Sequence, residues 1–143
     1  MIKRIIRGVI WGTILSFVYL VGCTNTPADK QVEEFVKDFE KEVGTSTKGV
    51  DFYFTKLKKP VVGRCFPGLK IIQLDLEFFK NSSTINRKAL VYHELGHCAC
   101  TILIHAKESA FCGDSLMVPS MLGEWCYRTS WSKYTKDLRE RCK

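Results

Sequence analysis

The chain has 143 residues, 45% hydrophobic and 12% aromatic, a composition that supports one packed core and excludes an intrinsically disordered chain or a string of domains. Of its 22 basic residues, Lys3, Arg4 and Arg7 lie at the extreme N-terminus, and the rest exceed the 15 acidic residues only mildly. They are scattered and not interleaved with aromatics, which excludes a nucleic-acid footprint and leaves at most an attraction to anionic surfaces.

After those three charges, residues 8–22 carry none and are rich in Val, Ile, Leu, Trp and Phe. As a helix this run would rise only about 22 Å, short of a membrane span, so it reads as the hydrophobic region of a secretory signal. Leu20-Val21-Gly22-Cys23 is similar to a bacterial lipobox, in which small residues precede a cysteine that becomes lipidated. Thr24-Asn25-Thr26-Pro27 resembles the polar tether that follows. The expected organisation is a signal peptide over 1–22, lipidated Cys23 and tether over 23–28, and a folded domain over 29–143. The expected location is exported and membrane-anchored, on the periplasmic or cell-surface side, because two or more acyl chains suffice for lasting attachment.

The seven cysteines are Cys23, Cys65, Cys98, Cys100, Cys112, Cys126 and Cys142. Assigning Cys23 to lipid leaves an even number, which an oxidising compartment would convert to disulfides of open connectivity. The rival use, a cysteine-held structural zinc, lacks its usual C-x-x-C spacing: a single residue separates Cys98 from Cys100.

Residues 29–43 form an expected amphipathic helix, with Val32, Phe35, Val36, Phe39 and Val43 at helical spacing and Gly44 as its stop. Residues 50–57 are rich in β-branched and aromatic side chains and read as a strand, broken by Lys58-Lys59-Pro60. A second short strand or loop covers 61–66 up to Pro67-Gly68, and a third strand covers 69–76. Asn81-Ser82-Ser83-Thr84 is a cluster of capping residues before a long helix from 85 through at least His97. Gly113, Pro119 and Gly123 mark 112–124 as loop, and Ser130 or Ser132 can cap a final helix over 131–142. The sum is an α+β domain: a small sheet, a central helix and two flanking helices.

The central helix carries His93-Glu94-Leu95-Gly96-His97, an H-E-x-x-H. Residues four apart share a helix face, so both imidazoles can reach one zinc ion, which prefers four ligands in a tetrahedron. Glu94 then stands where it can take a proton from a water acidified by the ion. The plain alternative is a surface helix with two histidines. Against it, all three histidines of the chain fall between positions 93 and 105, and the motif's helix has Ala89, Leu90, Val91 and Leu95 to bury.

With the preceding Leu90-Val91-Tyr92 and the later Ser115-Leu116-Met117-Val118-Pro119, this segment resembles small bacterial and phage metallopeptidases of the zincin type. The later piece is similar to the Met-turn of metzincins, although Met117 also reads as an ordinary core methionine. Gly63-Arg64-Cys65-Phe66-Pro67 and Ile71-Ile72-Gln73-Leu74-Asp75 resemble that family's cysteine-bearing segment and strand, so the resemblance covers roughly Val62 to Pro119. It implies a zincin-like fold, Zn2+, peptide-bond hydrolysis with Glu94 as base, a peptide or protein substrate, and a Cys65–Cys98 disulfide. The metzincin pattern places a glycine and a third ligand where this chain has Cys100 and Leu103. The next histidine, His105, would lie about 12 Å along an unbroken helix from His97. As third ligand, His105 therefore requires a break between Cys98 and Ile104, where no glycine or proline stands but a disulfide at Cys98 or Cys100 would serve. Glu108, Asp114 and Glu124 are rival ligands, the last matching the zincin branch completed by a later glutamate. His105 is favoured because imidazole is the better zinc ligand and Met117 points to the metzincin side. Tyr92, Tyr127 and Arg128 are candidate oxyanion donors. The alternative function is a zinc-stabilised binding or host-interaction lipoprotein without turnover. Glu94 discriminates, because holding zinc does not need it.

Overall fold

The computed structural model describes residues 26–27, 30–109 and 111–143. The expected signal segment and Cys23 lie outside the described residues. The elements in chain order are β1 (Thr26–Pro27), α1 (Lys30–Val43), β2 (Asp51–Thr55), β3 (Gly63–Phe66), β4 (Ile71–Asp75), α2 (Leu76–Asn81), α3 (Thr84–Cys98) and α4 (Glu124–Arg141), an α+β arrangement. Among the described residues, no helix is long and apolar enough to cross a membrane.

Helix α1 buries Val32, Phe35, Phe39 and Val43, one stripe at helical spacing. It stops at Gly44, whose φ of 81° few other residues adopt and whose N–H reaches the Glu40 carbonyl at 3.0 Å. The sheet order is β1-β2-β4-β3, with β2 parallel to β4 and β3 antiparallel to it. On β4, Ile72 and Leu74 are fully buried; two residues apart, they share the face that meets the core. Strand β3 is left at one edge, a position that matters for the site.

The strand expected over 69–76 ends at Asp75, and a short helix absent from the sequence reading begins there. The cause is Asp75 itself: one carboxylate oxygen accepts from the Phe78 N–H at 2.8 Å, capping α2, and the other accepts from the Leu57 N–H at 2.8 Å. Capping outweighs the strand preference of the residues that follow. Helix α3 begins after Ser83 as the capping cluster implies, and its buried residues surround the axis, as expected of a helix with neighbours on every side. Helix α4 starts at Glu124, seven residues before the expected Trp131, and is interrupted at Ser130, where φ −122° and ψ 15° are not helical. The expected final helix is its second half. Trp131 from that half packs at a tilt, 5.0 Å from Tyr92 of α3, which meets Phe39 of α1 edge-on at 5.1 Å, so one aromatic chain ties the three helices.

Three disulfides close the fold: Cys65–Cys98, Cys100–Cys142 and Cys112–Cys126. The first is the pairing that the family resemblance implies, and it joins edge strand β3 to the last residue of α3. Replacing Cys65 and Cys98 together by Ala should lower the unfolding free energy by about 2–5 kcal/mol. Urea denaturation of the oxidised protein measures this, and an unchanged midpoint would mean that packing alone holds β3 to α3.

Candidate metal centre

His93 and His97 project from the same face of α3, with their Nε2 atoms 3.1 Å apart. The Nδ1 of His93 lies 2.7 Å from the Leu116 carbonyl, and that of His97 lies 2.5 Å from the Ile102 carbonyl. A carbonyl only accepts, so each Nδ1 must carry the proton and each Nε2 a bare lone pair. The contact between the two Nε2 atoms is therefore not a hydrogen bond. His105 brings a third Nε2 to 3.1 Å from His97 and 3.3 Å from His93. The facing lone pairs of His93 and His97 repel unless a cation, or a proton carried by His105, sits between them. Tetrahedral ligands at 2.0–2.1 Å from zinc lie about 3.3 Å from one another, and the observed triangle has that size. Among the described residues, His93, His97 and His105 form the group that can hold a metal ion. The rivals do not join it: Asp114 pairs with Lys133, Glu124 with Arg128, and Glu108 is not part of the cluster.

His105 arrives because α3 ends at Cys98. The Ala99 and Cys100 N–H groups both turn back to the Leu95 carbonyl, and the Ile102 N–H reaches Gly96 at 3.0 Å. Thr101 takes φ 54°, a left-handed conformation uncommon for a β-branched residue. The adjacent Cys100–Cys142 bridge fastens this turn to α4, supplying the break for which no glycine or proline is available. The reversal aims the Ile102 carbonyl at His97 and carries the chain on to His105. Met117 is fully buried, and a Cβ on Gly96 would collide with its thioether, so this methionine lies directly against the helix that carries His93 and His97.

Glu94 is 4% exposed, and none of the hydrogen bonds among the described residues uses its carboxylate. A Cβ added to Gly63 of β3 would stand 2.6 Å from its Oε1, so the bare backbone of the edge strand makes room for it. Burial pushes the Glu94 carboxyl up to about 8 and the His93 imidazole down to about 4, and lowers His97 in the same way. Both histidines on α3 are thus neutral near pH 7, the state that binds a metal. The three histidines and Glu94 open on a cavity of about 670 Å³ whose other walls include Val62, Phe78, Leu90, Met121 and Tyr127. Of the candidate oxyanion donors, Tyr127 alone lines this cavity, and its hydroxyl already accepts from the Leu122 N–H at 2.8 Å. Tyr92 is packed in the aromatic chain and Arg128 is paired with Glu124. The role of Gly63 and the carbonyls of Ile102 and Leu116 escaped the sequence reading: a carbonyl has no residue signature, and one glycine at the start of a short strand is not informative.

Compared with known proteins, the chain matches no family model, no curated protein and no solved structure.

The burial of Glu94 has a consequence for the metal-free protein. A carboxyl raised from 4.5 to about 8 keeps a proton in the folded state that the unfolded state has released, so stability falls as pH rises through that range. His93, lowered from 6.5 to about 4, acts in the opposite sense, but only below 6.5. Between pH 6.5 and 8 the effect of Glu94 stands alone. Urea unfolding of the chelated protein should show stability declining across that interval, and Glu94→Gln should flatten the profile.

Proposed function

We propose that the chain is an exported zinc metallopeptidase of the zincin type, attached to a membrane through lipid on Cys23. The observation that carries the reading is the convergence of three imidazole Nε2 atoms, two of them bare, beside a buried, unpaired carboxyl group at the mouth of a cavity. Neutral nitrogen donors suit zinc and not the oxygen-seeking magnesium or calcium. Three protein ligands leave a fourth position open, the arrangement of a catalytic site rather than a structural one. When bound, zinc supplies a Lewis acid for a substrate carbonyl and acidifies water in its neighbourhood.

The chain's own residues do the rest. His93, His97 and His105 would hold the ion, with the Leu116 and Ile102 carbonyls fixing the tautomers of the first two. Glu94 receives a proton from the attacking water on its carboxylate and returns it to the leaving amine. Burial favours its acid form and a nearby cation favours its carboxylate; these opposed pushes suit a group that must hold a proton transiently. A peptide substrate is supported by β3, which pairs only with β4 among the described strands and so offers a free edge beside Glu94 to an extended chain. Export and lipidation are supported by the charge, length and Leu20-Val21-Gly22-Cys23 ending of the N-terminal segment.

His93→Ala, His97→Ala and His105→Ala should each lose zinc and hydrolysis together, by metal analysis and peptide cleavage. Glu94→Gln should keep stoichiometric zinc while hydrolysis falls by about 10²–10⁴-fold. A folded, oxidised wild type that binds no divalent metal would sink the reading. One that binds zinc but cleaves no member of a broad peptide library is the non-catalytic binding lipoprotein instead. Membrane attachment is tested separately: in a bacterium the wild type should incorporate labelled fatty acid and Cys23→Ser should not, whereas an unlabelled wild type retaining residues 1–22 refutes the anchor.

A further inference from the structure

The loop between α3 and α4 contributes three things to the metal centre: the ligand His105, the Ile102 carbonyl that orients His97, and the Leu116 carbonyl that orients His93. Apart from the turn at 99–102, no helix or strand is found among the described residues of this loop. Its middle is anchored to the first half and centre of α4 by Cys112–Cys126 and by Lys133 with Asp114, and the stretches next to His105 and Leu116 are held from the C-terminal end of α4. The guanidinium of Arg141 donates through Nη2 to the Ile104 carbonyl at 2.9 Å, immediately before His105. Through Nη1 it donates to the Ser115 hydroxyl at 3.2 Å, immediately before Leu116. Ser115 is 4% exposed, and its hydroxyl is fully used: it donates to Asp137 and accepts from both Arg141 and the Met117 N–H, the latter at 3.0 Å. Asp137, one turn back on α4, lies 3.8 Å from Nη1 and completes the charge pair. The Ala106 N–H in turn donates to the Met117 carbonyl, joining the two loop stretches to each other.

We propose that Arg141 is a positioning residue for the metal centre, one guanidinium setting both the stretch that delivers His105 and the stretch whose carbonyl orients His93. The claim rests on the metal reading above and adds to it a group that touches neither ion nor substrate. Its planar fork can serve two acceptors at once, which a lysine ammonium on a flexible stem does far less well. The neighbouring Cys142, bridged to Cys100, holds the start of the same loop. Arg139, two residues earlier, provides an internal control: it makes the same kind of bond, guanidinium to carbonyl, but to Glu42 at the end of α1, far from the histidines in the chain.

The test compares Arg141→Met, Arg141→Lys and Arg139→Met in the full chain. Zn2+ and Co2+ affinities, and the visible absorption of the Co2+ form, report ligand geometry. Groups that orient ligands typically change metal affinity by about 10–100-fold. Arg141→Met should show such a loss together with an altered Co2+ spectrum, Arg141→Lys a smaller loss, and Arg139→Met neither. Wild-type affinity and spectrum in Arg141→Met would overturn the proposal, as would an equal loss in Arg139→Met, which would reduce the effect to weakening of α4. If Arg141→Met fails to fold, Arg141→Lys against Arg139→Met decides on the same criteria. Amide exchange in the metal-free protein separates this claim from the metal reading: protection of the Ala106 N–H should fall in the Arg141 variants and persist in Arg139→Met. A wild type that binds neither ion would refute the metal site alone, while unchanged Ala106 protection would refute the clamp.

Discussion

A helix continuing through Ile104 would carry His105 about 12 Å along the axis from His97, so the cluster of three imidazoles exists only because the chain leaves α3 after Cys98. That departure is costly. It places a β-branched residue, Thr101, in left-handed backbone, and it leaves a ligand on a loop instead of a helix. Several bonds offset the cost together: the Ala99 and Cys100 N–H groups reach the Leu95 carbonyl and the Ile102 N–H that of Gly96, in the last turn of α3, and the Cys100–Cys142 bridge fastens the turn to α4. The same reversal points the Ile102 carbonyl at His97, so the element that ends the helix also sets the tautomer of a ligand on it.

Burial does the remaining preparatory work, and it acts on two kinds of group with opposite signs. Imidazoles withdrawn from water stay neutral and keep their lone pairs for an ion; a carboxyl withdrawn from water stays protonated. A cation arriving among the nitrogens would relieve the repulsion of their lone pairs and draw Glu94 back toward its carboxylate. Because such an ion binds the folded chain and not the unfolded one, its binding energy would add to stability. In the loaded protein that energy would offset the cost of gathering these groups into one centre.

What could be read in the sequence follows from how local each signal is. The amphipathic stripe of α1, the Gly44 stop, the start of α3 and the pairing of His93 with His97 are all written within a few residues of where they act. Helix α2 was missed although its signal was local too: Asp75 three residues before Phe78 is a capping arrangement, obscured by the apolar run of a strand on one side and Leu76 on the other. The early start of α4 was obscured by Ser130, a plausible cap that instead marks an interruption inside the helix. His105 was the favoured third ligand on ligand chemistry, but the break that delivers it depends on Cys142, 42 residues from Cys100, and no local pattern predicts such a partner. Carbonyl acceptors at Ile102 and Leu116 leave no trace in residue identity at all.

The end of α4 carries two unlike bonds side by side, and the difference between them explains why both are present. A disulfide limits how far Cys100 can move from Cys142, but a single covalent link leaves the stretch beyond it free to pivot, and His105 lies five residues further on. The Arg141 guanidinium grips that stretch at Ile104, next to the ligand, and its plane fixes direction as well as distance. By reaching Ser115 with its other arm it also relates the His105 side of the loop to the Leu116 carbonyl that orients His93. Tethering keeps the loop near; the fork determines which way its imidazole points, and a site that must place three nitrogens at the corners of one small triangle needs both.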